Sequence, residues 1–128
     1  MLRRLAPLLF RISLPTSLTK ELLAGSGASP SLISRVKNAV SSVQSNVLSD
    51  RLRLIFNCDA RAELARIDTP ILYLLATRDK LVPAWCAEQM HKIKPEMVIV
   101  PIDGPHLLLQ REPRQTADAV ADFVRGLV

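Results

Sequence analysis

The chain has 128 residues, a length for one domain, and 48% of them are apolar, enough to build a core, which argues against gross disorder. Its formal net charge of +5 invites a nucleic-acid partner, but the Lys and Arg residues are scattered and interleaved with acids from Asp50 onward. With aromatics at 4% there is no platform on which bases would stack, so no nucleic-acid role is expected.

The N-terminal stretch MLRRLAPLLFRISLPTSLTK carries Arg3, Arg4, Arg11 and Lys20 and no acid before Glu21. Two readings fit: an import (transit) peptide, or an ordinary basic amphipathic helix. A secretory signal does not fit, because the apolar run Leu5 to Phe10 is short, Pro7 interrupts it and no small-residue cleavage site follows. No stretch approaches the roughly 20 apolar residues of a membrane-spanning helix, so no membrane partner is expected.

From residue 2 to about 66 the periodicity predicts short helices. Gly25-Ser-Gly-Ala-Ser-Pro30 is a break, with Ser29 and Pro30 as N-cap and first residue of the next helix. In that helix Leu32, Val36, Val40, Val43 and Val47 predict one buried stripe. A second stripe follows in Leu48, Leu52, Ile55 and Phe56, and Asp59 is placed to cap the turn of ARAELARI. Cys58 reads as a buried structural thiol. Cys58 and Cys86 form no CxxC or metal-like pair, and thiols so far apart fit a reducing, cytoplasmic setting at least as well as a disulfide.

At Pro70 the pattern changes. PILYLLA is a continuous apolar run, as expected of a strand buried on both faces, and MVIVPI at 97–102 is a second. Pro83 opens a helix through about Ile93 between them, so the segment predicts strand, loop, helix, strand with the strands parallel. A last helix from about Pro113 carries Ala117, Val120, Ala121 and Val124 on one face. The fold class is therefore α/β, with helices in the first half and a strand-containing second half.

In an open parallel sheet ligands bind beyond the carboxyl ends of the strands. Asp79 in ATRDKLVP follows the first strand and His106 in DGPH follows the second. Adjacent strands lie about 4.8 Å apart, so equivalent loops bring an Asp and a His within hydrogen-bond reach. The carboxylate would then accept the Nδ1 proton and leave Nε2 as a base. Taken singly, such an Asp is more often a turn former or helix cap, and such a His more often a structural ring in a Gly-Pro loop. Cys86 and His91, five apart on a helix, point about 140° away from each other and do not make a metal site. Trp85 and Met90 read as cover for the sheet, with Trp85 near the mouth of a pocket.

DARAELARIDTPILYLLATRDKLVP, then VIVPIDGPHLLLQREP, then AVADFV closely resemble the C-terminal part of bacterial α/β-hydrolases, among them relatives of the carboxylesterase that cleaves pimeloyl-carrier-protein methyl ester. The likeness covers residues 59–128 and implies the C-terminal part of an α/β-hydrolase fold: 59–128 as core, with two parallel strands and flanking helices, and 1–58 as helical cap. It also implies Asp79 as triad acid, His106 as triad base and a small-molecule ester as substrate. The resemblance stops at the nucleophile. Chain order in such enzymes is Ser, Asp, His, with the Ser on a GxSxG-like elbow between a strand and a helix. The Gly-rich GSGAS at 25–29 places Ser26 and Ser29 between helices instead. It fails equally as a GxGxxG loop, so no cofactor and no metal is expected. Met1 is accordingly expected to fall within the cap of a longer enzyme, and the chain alone to be inactive and to be poorly stable, self-associating through a bare sheet edge, or completed by a separate N-terminal fragment. A non-catalytic interaction module, using that edge or the basic N-terminal helix, is the other reading.

Overall fold

The computed structural model describes residues 20–127, so both readings of the basic N-terminal stretch fall mostly outside the described residues. The described chain opens on a single π turn, Lys20–Ala24, closed by the Gly25 N–H donating to the Lys20 carbonyl at 2.8 Å. Gly25 and Gly27 follow at φ +71° and +77°, left-handed backbone that glycine adopts without a Cβ penalty. Helix α1, Pro30–Ser41, starts as expected: the Ser29 hydroxyl accepts the Leu32 N–H and Pro30 occupies the first turn. Helices α2 (Ser45–Asn57) and α3 (Arg61–Ala65) complete the first half.

The predicted continuous stripe from Leu32 to Val47 is interrupted. The hydroxyls of Ser41 and Ser42 donate to the carbonyls of Asn38 and Ala39, competing for helix-end acceptors, and α1 stops there. Of the stripe, Leu32 is buried, Val36, Val40 and Val43 are half-buried, and Val47 is exposed on α2. The second stripe also divides: Leu48 and Leu52 are half-buried, whereas Ile55 and Phe56 stand out in solvent with Leu54. Cys58 ends α2 and is exposed, which corrects its reading as a buried thiol. The N-cap of α3 is Ala60, without a side-chain cap, so Asp59 does not cap the helix as expected; one residue earlier, it accepts the Arg61 N–H at 3.2 Å.

Strand β1 (Leu72–Ala76), helix α4 (Ala84–Ile93) and strand β2 (Val98–Ile102) form the predicted unit. The strands pair in parallel, in register from Leu72 opposite Val98 to Ala76 opposite Ile102. Burial on both faces does not hold: β1 is half-buried throughout, and Val98 and Pro101 of β2 are exposed. Two strands present too little surface to enclose each other, and among the described residues the sheet has two.

A short turn of helix, α5 (Leu108–Arg111), leads into α6 (Pro113–Arg125). The buried residue of α6 is Thr116, and Ala119 and Phe123 line a groove with Val98, Val100 and Ile102. The predicted face of Ala117, Val120, Ala121 and Val124 is exposed. Thr116 donates within its own turn, with Glu112 and Pro113 carbonyls at 2.8 and 3.0 Å, so a polar residue is buried with its hydrogen bonds satisfied. One apolar cluster joins the halves: Ala24, Ala28 and Leu32, with Ile33, Val36 and Leu107 against them.

Candidate active site

Two loops leave the carboxyl ends of the parallel strands, and the ladder continues past the last paired residues. The Thr77 N–H donates to the Ile102 carbonyl and the Arg78 N–H to the Gly104 carbonyl, both at 3.0 Å. The loops therefore rise side by side. Gly104 is buried where a Cβ would lie 2.5 Å from a Leu108 methyl and 3.2 Å from Glu112 Cγ, so the turn before His106 has no room for a side chain. Pro105, also buried, packs on Gly25, whose own Cβ would lie 2.9 Å from it.

These constraints bring Asp79 and His106 together, with His106 Nδ1 2.8 Å from Asp79 Oδ2. The other carboxylate oxygen, Oδ1, accepts the N–H groups of Leu81 at 2.7 Å and Val82 at 3.0 Å. The turn-forming role and the pairing role weighed from the sequence are thus both realised, one on each oxygen. Burial pushes the Asp79 pKa up, but the Val82 N–H, the His106 ring and the Leu81 N–H together outweigh it and hold the carboxyl below its usual range. Asp79 is an ionised acceptor with no proton to give, so the hydrogen in the 2.8 Å contact is on His106 Nδ1. In a neutral ring that placement would leave Nε2 without a hydrogen. The Asp79 side chain is 10% exposed and that of His106 34%, which shields the acid and leaves the ring within reach of a reactant.

Residues that the sequence did not single out surround the pair. Arg78 and Asp103, one from each loop, form an ion pair with Nε to Oδ1 at 2.7 Å. Lys80 pairs with Glu21 of the π turn, and that bond holds the Glu21 carboxyl below its usual pKa. The Leu107 N–H donates to the Leu23 carbonyl at 3.0 Å and Arg111 Nη2 to the Ser26 carbonyl at 3.3 Å. The Gly-rich stretch at 25–29 therefore packs directly on the histidine loop, a placement that no local pattern signals. A small pocket lies there, lined by Glu21, Gly25, Ser26, Arg78, Lys80 and Pro105. Ser29 spends its hydroxyl as the α1 cap. The Tyr73 phenol on β1 is raised in pKa by burial first, then by Cys86 and Asp79.

Trp85 is 60% exposed and covers little of the sheet, and Met90 is half-buried. Cys86 is half-buried and His91 exposed. Among the described residues no three His, Cys, Asp or Glu side chains gather to hold a metal ion. No helix among them is long and apolar enough to cross a membrane.

No family model matches the chain. It resembles a solved hydrolase from Pseudomonas aeruginosa PA01 over 94% of its own length, with a TM-score of 0.63 at 21% identity. The fold is that of part of an α/β-hydrolase. In sequence the chain is similar to the biotin biosynthesis bifunctional protein BioHC of Cellvibrio japonicus (strain Ueda107), 31% identical over 97 residues, or 75% of this chain. It spans 43% of the solved hydrolase and 19% of the curated relative. The resemblance first carried by the DGPH and TRDKLVP segments is therefore matched by both a curated relative and a solved hydrolase.

Proposed function

We propose that Asp79 and His106 are the acid and base of a serine-type hydrolase that cleaves carboxylic esters, and that the nucleophile comes from sequence outside these 128 residues. The supporting observation is the 2.8 Å contact between His106 Nδ1 and a largely buried, ionised Asp79. Asp79 fixes the ring and its tautomer. Nε2 takes the proton of an attacking hydroxyl as its oxygen bonds to the ester carbonyl, then returns that proton to the departing alkoxide. A water deprotonated by the same nitrogen releases the acid and frees the hydroxyl. Residues 59–128 supply this acid–base half, and 1–58 act as cap. The two free thiols suit a reducing, cytoplasmic setting.

The chain alone is then inactive, because removing one triad member costs several orders of magnitude in rate. The test is 4-nitrophenyl ester hydrolysis by the chain and by His106→Ala, each with and without a polypeptide carrying the earlier strands and a GxSxG elbow. Turnover that needs both the added polypeptide and His106 is expected. Turnover by the chain alone that vanishes in His106→Ala would place a nucleophile within this sequence and refute the proposal.

A second reading, a non-catalytic interaction module, is favoured by one observation. Among the described residues β1 pairs on one side only, which leaves backbone groups open to a strand of a second copy or another chain. Sedimentation decides here: a compact monomer at all concentrations counts against self-association.

A further inference from the structure

We infer that Arg78 and Asp103 are positioning residues that set the height of the histidine loop against the aspartate loop, and so hold His106 in the Nδ1–H tautomer. This rests on the proposed acid–base role of Asp79 and His106.

The geometry is reciprocal. Arg78 Nε lies 2.7 Å from Asp103 Oδ1, and Arg78 Nη2 donates to the Asp103 backbone carbonyl at 3.3 Å. From the other side, the Thr77 hydroxyl donates to Asp103 Oδ1 at 3.2 Å. Each loop thus holds the other by a side chain, one residue before Asp79 and three before His106. Below this latch lies the regular ladder, ending at Ala76 and Ile102. The Thr77 and Arg78 N–H groups extend that ladder to the Ile102 and Gly104 carbonyls, and beyond Gly104 the direct link between the loops in the described hydrogen bonds is the Asp79–His106 contact. The latch is the last side-chain link between the loops before the reacting pair.

The planar guanidinium is the part that matters. Its fork reaches the carboxylate and the carbonyl of the same residue, which a single ammonium cannot do with the same orientation. Both side chains are largely in solvent, 52% and 75% exposed, and ion pairs so placed add little to global stability. Their effect is directional: a small tilt of the histidine loop lengthens a 2.8 Å contact whose strength depends on distance and angle. When that contact weakens, the Nδ1 proton is no longer held and returns to Nε2, which removes the base.

The test is the nitrogen-15 spectrum of the His106 ring in the full chain, alongside its thermal midpoint, for the native protein, Arg78→Lys, Asp103→Asn and Asp79→Asn. The ratio of Nδ1–H to Nε2–H tautomers is expected to fall about tenfold in Arg78→Lys and in Asp103→Asn, with the midpoint unchanged; tenfold corresponds to about 1.4 kcal/mol. An unchanged ratio in both variants overturns the inference. So does a ratio that falls only in step with a lowered midpoint, since that marks general loosening. Asp79→Asn separates the two levels: if it moves the ratio and the latch variants do not, the positioning role fails alone, whereas if Asp79→Asn leaves the ratio unmoved, the paired site itself fails.

Discussion

Replacing Asp79 with Asn changes one atom and removes one charge. Asn keeps an oxygen for the Leu81 and Val82 N–H groups, so the turn survives, but it presents an NH2 to the Nδ1 proton of His106. The site loses one charge-assisted hydrogen bond, worth about 1.5–3 kcal/mol when shielded. Asp79 is 10% exposed but its partner ring is 34% exposed, and solvent screening reduces the expected loss to about 1–2 kcal/mol at pH 7. The pH dependence carries the sign. The folded-state pKa of Asp79 lies below that of the unfolded chain, about 3.9, so its stabilisation is fully present above that value and disappears as pH falls through the folded-state value. Urea titrations of both proteins at steps from pH 7 into acid should give curves separated at neutral pH that converge below about pH 4. A constant separation, or none at pH 7, would show that the carboxylate charge is not what the pair uses.

Gly25→Ala combines left-handed backbone with a Cβ 2.9 Å from Pro105, and should lower stability by about 2–3 kcal/mol in the same titration. It also pushes on the residue before His106. Asp59, bound by Arg61 through its side chain and backbone N–H, has a pKa held down to about 2, and Arg61→Ala should return the carboxyl toward about 3.9, read by carbon-13 NMR in acid. Because Phe123 lines the sheet groove and Val124 does not, Phe123→Ala should cost about 2 kcal/mol and Val124→Lys less than about 0.5 kcal/mol. The reverse order would restore the helix face expected from sequence.

Elements whose signals are local were legible. Ser29 and Pro30 mark a helix start through groups within three residues, and the two apolar runs mark strands through unbroken hydrophobicity. Asp79 and His106 were legible because strand ends in a parallel pair sit side by side, so loop position in sequence converts directly to position in space. What failed depended on satisfaction of polar groups by distant or unexpected partners. Thr116 is buried with its hydroxyl satisfied inside its own turn, while the face of Ala117, Val120, Ala121 and Val124 is left exposed. Serine hydroxyls end α1 inside a valine stripe that continues in sequence. The latch of Arg78 and Asp103 was hidden for a related reason: two charged loop residues, 25 positions apart, look like ordinary surface until the register aligns them.

In the proposed pair, Asp79 holds the Nδ1 proton of His106 and leaves Nε2 open to accept a proton. The most direct measurement is the ring nitrogen spectrum of His106 in the native chain near pH 8. The proposed pair gives a proton on Nδ1 and a bare Nε2. A ring carrying its proton on Nε2, or exchanging freely between the two nitrogens as in an isolated imidazole, would contradict it.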